Sequence, residues 1–274
     1  MKNLRGRVAL LTGGSRGLGA YVAEALAGEG VNLALTARSE AGLASTAKKL
    51  RRFDVDVRIY PADITDSASR ADLLAQVRAD FGPIDLLINN AGIEWVSSYT
   101  AIPPDHIEKM LQTNLMAPML LTRLALPDML ARGTGHIVTM SSLGGKKGSP
   151  YSATYAATKA GLIQWISGLR AELYKTGVSA SVICPGFVAE SGMFAVYNKR
   201  APRITGETTP SKVARAVIRA IKKDVGEIVV NSKAMWPLIM MEAIHPDLSG
   251  WVLRTFGVHD FYRRQAKENE AKGL

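Results

Sequence analysis

The sequence predicts an α/β fold, organised as one doubly wound domain around a seven-stranded parallel sheet. Strand-like apolar runs begin near residues 7, 32, 57, 84, 135, 179 and 227 and alternate with helical stretches, as in consecutive βαβ units. The 274 residues are 47% hydrophobic, so the chain can bury the core of such a domain. A glycine-rich turn in the first β–α unit supports this prediction, because doubly wound sheets bind ligands where their strands end.

The first unit predicts a phosphate-binding loop. Val8–Thr12 is an almost wholly apolar run, typical of a strand buried on both faces, and a helix is predicted from Ala20 to Ala27. Between them, Gly13–Gly19 contains four glycines in seven residues. Glycines let the backbone approach a pyrophosphate, and the free N–H groups at the helix start face its negative charge. The alternative is an ordinary tight β–α turn, but such a turn needs one glycine.

The second strand indicates which dinucleotide the loop binds. The run Asn32–Ala37 ends without the Asp or Glu that would hydrogen-bond a ribose 2′-hydroxyl. Arg38 follows at once, and Arg16 lies inside the glycine loop. Two guanidinium groups suit the 2′-phosphate, so NADP(H) is favoured over NAD(H). The alternative is that Arg38 is only a solvated residue at the start of the next helix.

Tyr155 and Lys159 form a candidate catalytic pair. They stand four residues apart in a helix predicted over residues 151 to 175, with Tyr155 thirteen residues after Ser142. Positions i and i+4 share a helix face, so the ammonium can lie beside the phenol. A nearby cation lowers a tyrosine pKa from about 10 and makes the phenol a usable general acid or base. Alone, such a pair is more often an amphipathic accident; its position after a phosphate loop favours catalysis.

Six motifs follow one another in an order that is found in a known enzyme family. They are Thr-Gly-x-x-x-Gly-x-Gly at 12–19, Asp63 after the third strand, Asn89-Asn-Ala-Gly92 after the strand Ile84–Ile88, Asn114 in Gln112-Thr-Asn-Leu115, Ser142 ending the strand His136–Ser142, and Pro185-Gly186 closing the strand Ser179–Cys184. From about Arg7 to about Val230 the chain resembles the classical short-chain dehydrogenase/reductase family. The resemblance implies a Rossmann-like fold.

The resemblance also implies a catalytic tetrad of Asn114, Ser142, Tyr155 and Lys159. Tyr155 would exchange a proton with the substrate oxygen, and Ser142 would hydrogen-bond the same oxygen. Lys159 would lower the pKa of Tyr155 and bind the nicotinamide ribose. Asn114 would hold a water molecule that links Lys159 to solvent. The hydride itself would come from the cofactor.

The family's cofactor contacts fall on the glycine loop and on the ends of later strands. The implied contact residues are Gly13, Ser15, Arg16, Gly17, Leu18, Gly19, Arg38, Asp63, Ile64, Asn90, Ala91, Gly92, Tyr155, Lys159, Pro185, Gly186 and Val188. The chain departs from the pattern at Glu190, where the family usually has a threonine that bonds the nicotinamide carboxamide. Ser191 or the backbone of Val188 are the alternatives for that contact.

Neighbouring residues compete with two members of the tetrad. We expect Ser141 to be a hydrogen bonder at the strand end, and Tyr151 to sit at the helix start or to line the substrate pocket. The segment from Gly186 to Pro210 is expected to cover the substrate. Its apolar side chains indicate a hydrophobic substrate; they are Met193, Phe194, Val196 and Tyr197.

The composition restricts the partners. A formal net charge of +10 raises nucleic-acid or anionic-membrane binding, but the basic pairs are dispersed and no nucleic-acid recognition module accompanies them. We therefore expect no nucleic-acid partner. A single cysteine, Cys184, excludes a disulfide framework and is expected to be a buried small side chain. The first residues lack the apolar core of a signal peptide, which favours the cytoplasm.

The last part of the chain is expected to be an extension. Residues 1–231 are predicted to form the catalytic domain, and residues 232–274 a C-terminal apolar, helical extension. Its tryptophans and arginines fit three roles: a substrate lid, a subunit contact, or peripheral membrane contact through residues 232–264. Some lipid- and steroid-reducing members of the family carry such extensions. By analogy with the family, long helices at Asp105–Ala131 and Tyr151–Thr176 predict a homodimer or homotetramer.

The function that the sequence favours is an NADP(H)-dependent oxidoreductase. It would interconvert a carbonyl and a secondary alcohol of a lipophilic small molecule, such as a steroid, acyl or polyketide-like substrate. One alternative is a non-catalytic dinucleotide-binding scaffold, although such a protein has no need of a proton relay. The other is a peripheral lipid-binding protein that uses the C-terminal extension.

Overall fold

A computed structural model describes residues 1–194 and 199–272 and contains a parallel seven-stranded sheet. Its strands are β1 Val8–Thr12, β2 Asn32–Ala37, β3 Val57–Pro61, β4 Leu86–Asn89, β5 Gly135–Met140, β6 Val178–Pro185 and, after a small separate pair β7 Phe187–Val188 and β8 Glu207–Thr208, β9 Glu227–Val230. The order across the sheet is β3-β2-β1-β4-β5-β6-β9. This order confirms the predicted doubly wound fold, in which the chain reverses direction across the sheet between β1 and β4.

Helices connect these strands and cover both faces of the sheet. They are α1 Leu18–Gly28, α2 Glu40–Leu50, α3 Ser67–Phe81, α4 Pro104–Leu111, α5 Ala117–Arg132, α6 Ala153–Glu172, α7 Pro210–Lys223, α8 Trp236–Ile244, α9 Pro246–Thr255 and α10 Val258–Ala271. Helices α1, α2 and α7 bury their apolar residues against one face of the sheet. Helices α3, α5 and α6 cover the other face. Because both faces are covered, β1, β4 and β5 are buried along their whole length, as their continuous apolar runs predict.

Local sequence explains where several helices begin and end. Ser39 and Asp66 cap α2 and α3, because each side chain accepts a hydrogen bond from the N–H group three residues later. Thr209 caps α7 in the same way. At the other end, α5 stops at Gly133, which adopts a left-handed conformation.

Two predicted helices differ from the structure. The helix expected over residues 151–175 begins at Ala153, because Tyr151 has a φ of 60°, outside the helical region. The long helix expected over Asp105–Ala131 is divided into α4 and α5 by a π-helical turn at Gln112–Met116. Such turns are often found at functional sites, and this one contains Asn114.

The C-terminal extension packs on the domain at several points. Ser249, Gln265 and Ala266 are buried, and Glu268 forms an ion pair with Lys199 (2.6 Å). Among the residues that the structure describes, no helix combines the length and apolar character that crossing a bilayer requires.

Candidate active site

The glycine loop between β1 and α1 has the shape that close approach to a phosphate requires. Gly13 and Gly17 have φ angles of 69° and 61°. A Cβ atom on Gly19 would lie 2.0 Å from the carbonyl oxygen of Gly13, so only glycine fits there. Gly17 precedes α1 and has no side chain to cap it, which leaves the first N–H groups of the helix for a ligand. Of the remaining predicted loop residues, Ser15 and Arg16 lie in the same turn, and Leu18 is the first residue of α1.

The residues after β4 hold this loop in place. The Asn90 amide donates to the carbonyl oxygens of Thr12 (3.0 Å) and Gly13 (3.3 Å). The hydroxyl oxygen of Thr12 accepts from the backbone N–H groups of Asn90 (3.0 Å) and Ala91 (3.1 Å). The Asn90 side chain therefore supports the glycine loop in this structure, and its predicted contact with a cofactor ribose remains a prediction.

Both arginines predicted to select the dinucleotide lie at the protein surface. Arg16 is exposed in the glycine loop, and Arg38 is exposed directly after β2. Neither forms an ion pair with another of the described residues. Burial raises the pKa of Asp63, but hydrogen bonds from Thr65 and the positive charge of Arg38 outweigh this effect and lower that pKa below its usual value. Arg38 and Asp63 therefore share the end of the sheet at β2 and β3; Ile64, next in the chain, is buried.

The structure brings the four predicted catalytic residues together where β4 and β5 end. The Lys159 Nζ atom lies 5.5 Å from the centre of the Tyr155 ring. A Cβ atom on Gly144 would lie 3.5 Å from the Ser142 hydroxyl oxygen and 3.8 Å from the Tyr155 ring, so these two side chains share one side of Gly144. The Ser142 hydroxyl also accepts a hydrogen bond from the Gly144 N–H group (3.0 Å).

Asn114 connects this cluster to the loop after β4. A Cβ atom on Gly92 would lie 3.4 Å from both Asn114 Oδ1 and Lys159 Nζ, which places the two groups on the same side of that loop. Asn114 Oδ1 accepts from the Ile93 N–H group, and Asn114 Nδ2 donates to the Ile93 carbonyl oxygen, both at 2.8 Å. The amide also donates to the Thr158 hydroxyl (3.2 Å). The Asn114 side chain therefore fixes the backbone of Ile93 beside the helix that carries Tyr155 and Lys159.

The protonation of the pair differs from the expectation based on spacing. Burial raises the pKa of Tyr155, the charge of Glu94 adds to this effect, and the hydrogen bond with Ser142 opposes it. Burial lowers the pKa of Lys159 to about 8, and its Nζ atom donates to the Met140 carbonyl oxygen at 2.9 Å. The pKa of Tyr155 is therefore raised in this structure and not lowered as the spacing predicts, because desolvation has the largest effect and the charge of Glu94 acts in the same direction. A tyrosine with a raised pKa holds its proton at neutral pH.

The two competing residues have other contacts. The Ser141 hydroxyl donates to the Lys159 carbonyl oxygen (2.8 Å), as expected for a residue at a strand end. Tyr151 lines a cavity of about 260 Å³, and its ring lies 5.5 Å from that of His259 in α10. The cavity lies beside the start of α6, where Ser152, Ala153 and Thr154 line it. The rest of its lining is mostly aromatic or apolar and includes Trp95, Tyr99, Ile102, Pro150, Tyr151 and His259.

The segment after β6 lies close to the glycine loop, since a Cβ atom on Gly17 would be 3.6 Å from the Cα atom of Gly192, and it also contacts the extension. Pro185 and Val188 are buried, and a Cβ atom on Gly186 would lie 2.5 Å from Asn231 Oδ1. Phe187 packs near Phe194 and near Phe261 of α10, with ring centres 4.7 and 5.8 Å apart. The other two predicted lid residues, Val196 and Tyr197, lie outside the described residues.

The sequence interpretation overlooked Glu94. Its side chain accepts a hydrogen bond from the Ser152 hydroxyl (2.7 Å), and its charge affects both Tyr155 and Lys159. A local signal was present, because Glu94 is the acidic residue between Ile93 and Trp95 directly after the Asn89–Gly92 motif. Its role could not be seen from the local sequence, because the residue that bonds it is Ser152, which lies 58 residues further along the chain, directly before α6.

Comparisons with known proteins agree with this geometry. A model of the short chain dehydrogenase family matches residues 7–202. The ketoacyl reductase HetN of Nostoc sp. is 41% identical over 277 residues, which cover 99% of this chain and 96% of that protein. The acetoacetyl-CoA reductase of Shinella zoogloeoides is 35% identical over 231 residues, covering 81% and 93%.

A solved structure is similar over most of its length as well. It is that of a metagenomic short-chain oxidoreductase in complex with NADP, which is 30% identical and superposes with a TM-score of 0.73 over 84% of this chain and 99% of that one. With a family model matched over most of the chain and a relative matched over nearly all of it, the chain belongs to the short-chain dehydrogenase family.

Proposed function

We propose that this protein is an NADP(H)-dependent oxidoreductase that interconverts a carbonyl and a secondary alcohol. The observation that carries the proposal is the buried Tyr155, which has Ser142 and Lys159 beside it at the carboxyl ends of β4 and β5. Doubly wound sheets bind their ligands at this edge. The relatives named as ketoacyl and acetoacetyl-CoA reductases support carbonyl chemistry.

The residues present fit NADP(H). The cramped Gly13–Gly19 turn admits a pyrophosphate at the start of α1, and Arg16 and Arg38 are exposed where a 2′-phosphate would need cations. The similar solved structure, described as a complex with NADP, supports the same dinucleotide. The other predicted contacts remain part of this proposal; they are Asp63, Ile64, Asn90, Ala91, Gly92, Pro185, Gly186 and Val188. When bound, the cofactor supplies the hydride.

The proposed chemistry assigns one task to each member of the tetrad. Tyr155, which its raised pKa keeps protonated at neutral pH, donates its phenolic proton to the carbonyl oxygen during reduction. Ser142 donates a hydrogen bond to the same oxygen and polarises the carbonyl. Lys159 supplies positive charge beside the phenol, and Asn114 fixes the loop at Ile93 that lies against Lys159.

The proposed substrate is a lipophilic ketone, with an acyl or polyketide-like compound favoured over a steroid. The cavity at the start of α6 has a largely aromatic and apolar lining, and Phe187, Phe194 and Phe261 form a second apolar cluster after β6. The relatives' names point to acyl substrates. A screen of NADPH oxidation with acyl thioesters, ketosteroids, quinones and aryl ketones tests this order, and preference for a ketosteroid would contradict it.

Tyr155→Phe tests the proposed function against the alternative of a non-catalytic dinucleotide-binding scaffold. The variant should bind NADPH with native affinity and lose carbonyl reduction by at least about a thousandfold, because phenylalanine cannot donate the proton. Tyr151→Phe is the matched control, since it removes the hydroxyl of the neighbouring tyrosine in the cavity. Native turnover in Tyr155→Phe would refute the proposed proton donor.

Arg38→Ala tests the choice of dinucleotide. The variant should weaken NADPH binding by about tenfold or more and leave NADH binding nearly unchanged, because only NADPH carries the 2′-phosphate. The exposed Arg51 is a matched control, as it lies at the end of α2. Equal losses for the two dinucleotides would overturn the assignment.

We propose a homo-oligomer that forms through α4, α5 and the turn between them. This surface exposes a row of apolar side chains: Leu111, Met116, Leu120, Leu124 and Leu130. Light scattering should show a dimer or tetramer for the native protein and a smaller species for Leu120→Glu. A native monomer would refute this part of the proposal.

We propose that residues 1–231 form the catalytic domain of a cytoplasmic protein and that the extension has two roles. Helix α10 roofs the site, since Phe261 packs near Phe187. Helices α8 and α9 expose Trp236, Met240, Ile244 and Trp251, which suit peripheral contact with a membrane. Cosedimentation with vesicles of phosphatidylcholine and phosphatidylglycerol should fall in Trp236→Gln but not in Tyr174→Gln, an exposed aromatic residue elsewhere; equal behaviour would refute the membrane role.

A further inference from the structure

Glu94 is a carboxylate that the proposed reaction does not use, although it is bonded to Ser152, three residues before the proposed proton donor Tyr155. It follows Ile93, whose backbone N–H and carbonyl groups are both bonded to the side chain of Asn114 at 2.8 Å. The Glu94 carboxylate in turn accepts from the Ser152 hydroxyl at 2.7 Å. Ser152 directly precedes α6, the helix that carries Tyr155 and Lys159. Asn114 therefore fixes the backbone that precedes Glu94, and Ser152 fixes its carboxylate.

The charged and titratable groups around Glu94 come from several elements. Lys159 on α6 is the cation that acts on it. Tyr155 lies on the same helix. Tyr262 of α10 acts on Tyr155, and the Cys184 thiol of β6 acts on both Tyr155 and Lys159. Burial raises the pKa of Glu94, whereas the Ser152 hydrogen bond and the charge of Lys159 lower it. Glu94 is the carboxylate among these groups, and the positive charge of Lys159 can offset its negative charge.

A carboxylate in this position changes the pH range in which Tyr155 has the protonation state that each direction of the reaction requires. Negative charge disfavours the phenolate of Tyr155 and favours the ammonium of Lys159, so the pKa values of both groups rise. Reduction uses Tyr155 as the protonated donor, and oxidation uses it as the deprotonated acceptor. With the carboxylate present, the donor form persists to higher pH and the acceptor form is scarce near neutrality.

We propose that Glu94 is a positioning residue that acts through Tyr155 and Lys159, placing a negative charge against the pair so that the pH profile of alcohol oxidation is shifted to higher pH. This proposal rests on the proposed oxidoreductase function. Ser152 holds the carboxylate, and Asn114 holds the preceding backbone. In the proposed reaction Glu94 does not touch the reacting atoms, and its effect is electrostatic.

The test combines a titration that needs no turnover with a pH profile of activity. In protein labelled with ¹³C at the lysine ε-carbon, the Lys159 resonance is assigned by its absence from Lys159→Arg, and its midpoint should lie near 8 in the native protein. Glu94→Gln keeps an oxygen for the Ser152 hydrogen bond and removes the charge. We expect the midpoint to fall by about one pH unit, and the pH at which kcat/KM for alcohol oxidation reaches half its maximum to fall by a similar amount.

Two further variants separate charge from structure. Ser152→Ala removes the hydrogen bond but keeps the carboxylate, so both midpoints should move by less than about 0.3 pH unit. Glu270→Gln is the matched control for charge and for loop tethering, because Glu270 is an exposed carboxylate that accepts from the N–H group of Ser98 (2.7 Å) in the same loop. It should leave both midpoints unchanged.

The outcomes distinguish failure of this proposal from failure of the proposed function. A Lys159 midpoint that stays at its native value in Glu94→Gln overturns the role of Glu94, whether or not the protein reduces a carbonyl. The proposal is also overturned if Glu94→Gln shifts the Lys159 midpoint but leaves the pH profile of alcohol oxidation unchanged. In that case the charge of Glu94 acts on the lysine but does not affect proton transfer by Tyr155. A native protein that binds NADPH and reduces none of the carbonyls tested overturns the proposed function itself.

Discussion

Asn114→Ala should destabilise the protein more than removal of any single surface contact, because the buried Asn114 side chain makes hydrogen bonds with the backbone N–H and carbonyl groups of Ile93 in the loop after β4. Asn114 is fully buried and makes three hydrogen bonds, two with Ile93 and one with Thr158. At about 1 kcal/mol for each bond, the loss is about 3 kcal/mol. Alanine is the better helix former by about 0.5 kcal/mol, which leaves a net loss of about 2.5 kcal/mol in the free energy of unfolding.

Urea unfolding followed by circular dichroism measures this loss. Asn89→Ala is the matched control, because Asn89 is also a buried asparagine near the site but makes one described hydrogen bond, to the Thr122 hydroxyl (3.2 Å), and leaves its Oδ1 atom without a partner in the described part of the chain. The control should lose about 1 kcal/mol. Equal losses in the two variants, or a loss below about 1 kcal/mol in Asn114→Ala, would refute the reasoning that the paired bonds with Ile93 hold the loop.

Three other predictions use features outside the tetrad. Burial lowers the pKa of His136 to about 4, so the unfolded chain takes up a proton at that residue before the folded one does, and about 3 kcal/mol of stability should be lost as the pH falls from about 6.5 to about 4. His136→Gln should lack that part of the pH dependence in urea unfolding, and an unchanged dependence would contradict the assignment. Gly19→Ala should weaken NADPH binding and lower the melting temperature, because its Cβ atom would lie 2.0 Å from the Gly13 carbonyl oxygen. Gly168→Ala, at an exposed position within α6, should instead raise stability by up to about 1 kcal/mol. A change in stability of the same sign in both variants would be inconsistent with the geometry. The Cys184 thiol is buried, and burial raises its pKa to about 12, so it should react with a thiol reagent only on unfolding; rapid labelling of the native protein would count against this burial.

The sheet could be predicted from the sequence because strands buried on both faces are continuous apolar runs. Val8–Thr12 is an example, since every residue of the run is buried in β1. The π-helical turn at Gln112–Met116 could not be predicted in the same way, because the contacts of Asn114 with Ile93 that accompany it are long-range. A local signal was nevertheless present in Pro118, which has no N–H group to bond the carbonyl oxygen four residues earlier.

The members of the site could be proposed from spacing and resemblance, but their electrostatics could not. A helical spacing of four places Lys159 near Tyr155, and the structure agrees. The spacing carries no information on desolvation, which lowers the pKa of Lys159 and raises that of Tyr155. Nor does it reveal Glu94, because that carboxylate reaches the pair through the folded loop after β4 and not through the helix.

That loop also connects the proton chemistry to the C-terminal extension. Asn114 and Ser152 hold the first part of the loop. Helix α10 holds its later part, since Asn269 donates to the Val96 carbonyl oxygen (2.9 Å) and Glu270 accepts from the Ser98 N–H group (2.7 Å). A displacement of α10 would therefore move the loop that carries Glu94, and with it the charge that faces Tyr155. Because α10 also packs against the segment after β6 through Phe261, a substrate that changes the position of α10 would affect both its own enclosure and the protonation of its proton donor. Under the proposed function, the extension would in this respect belong to the site.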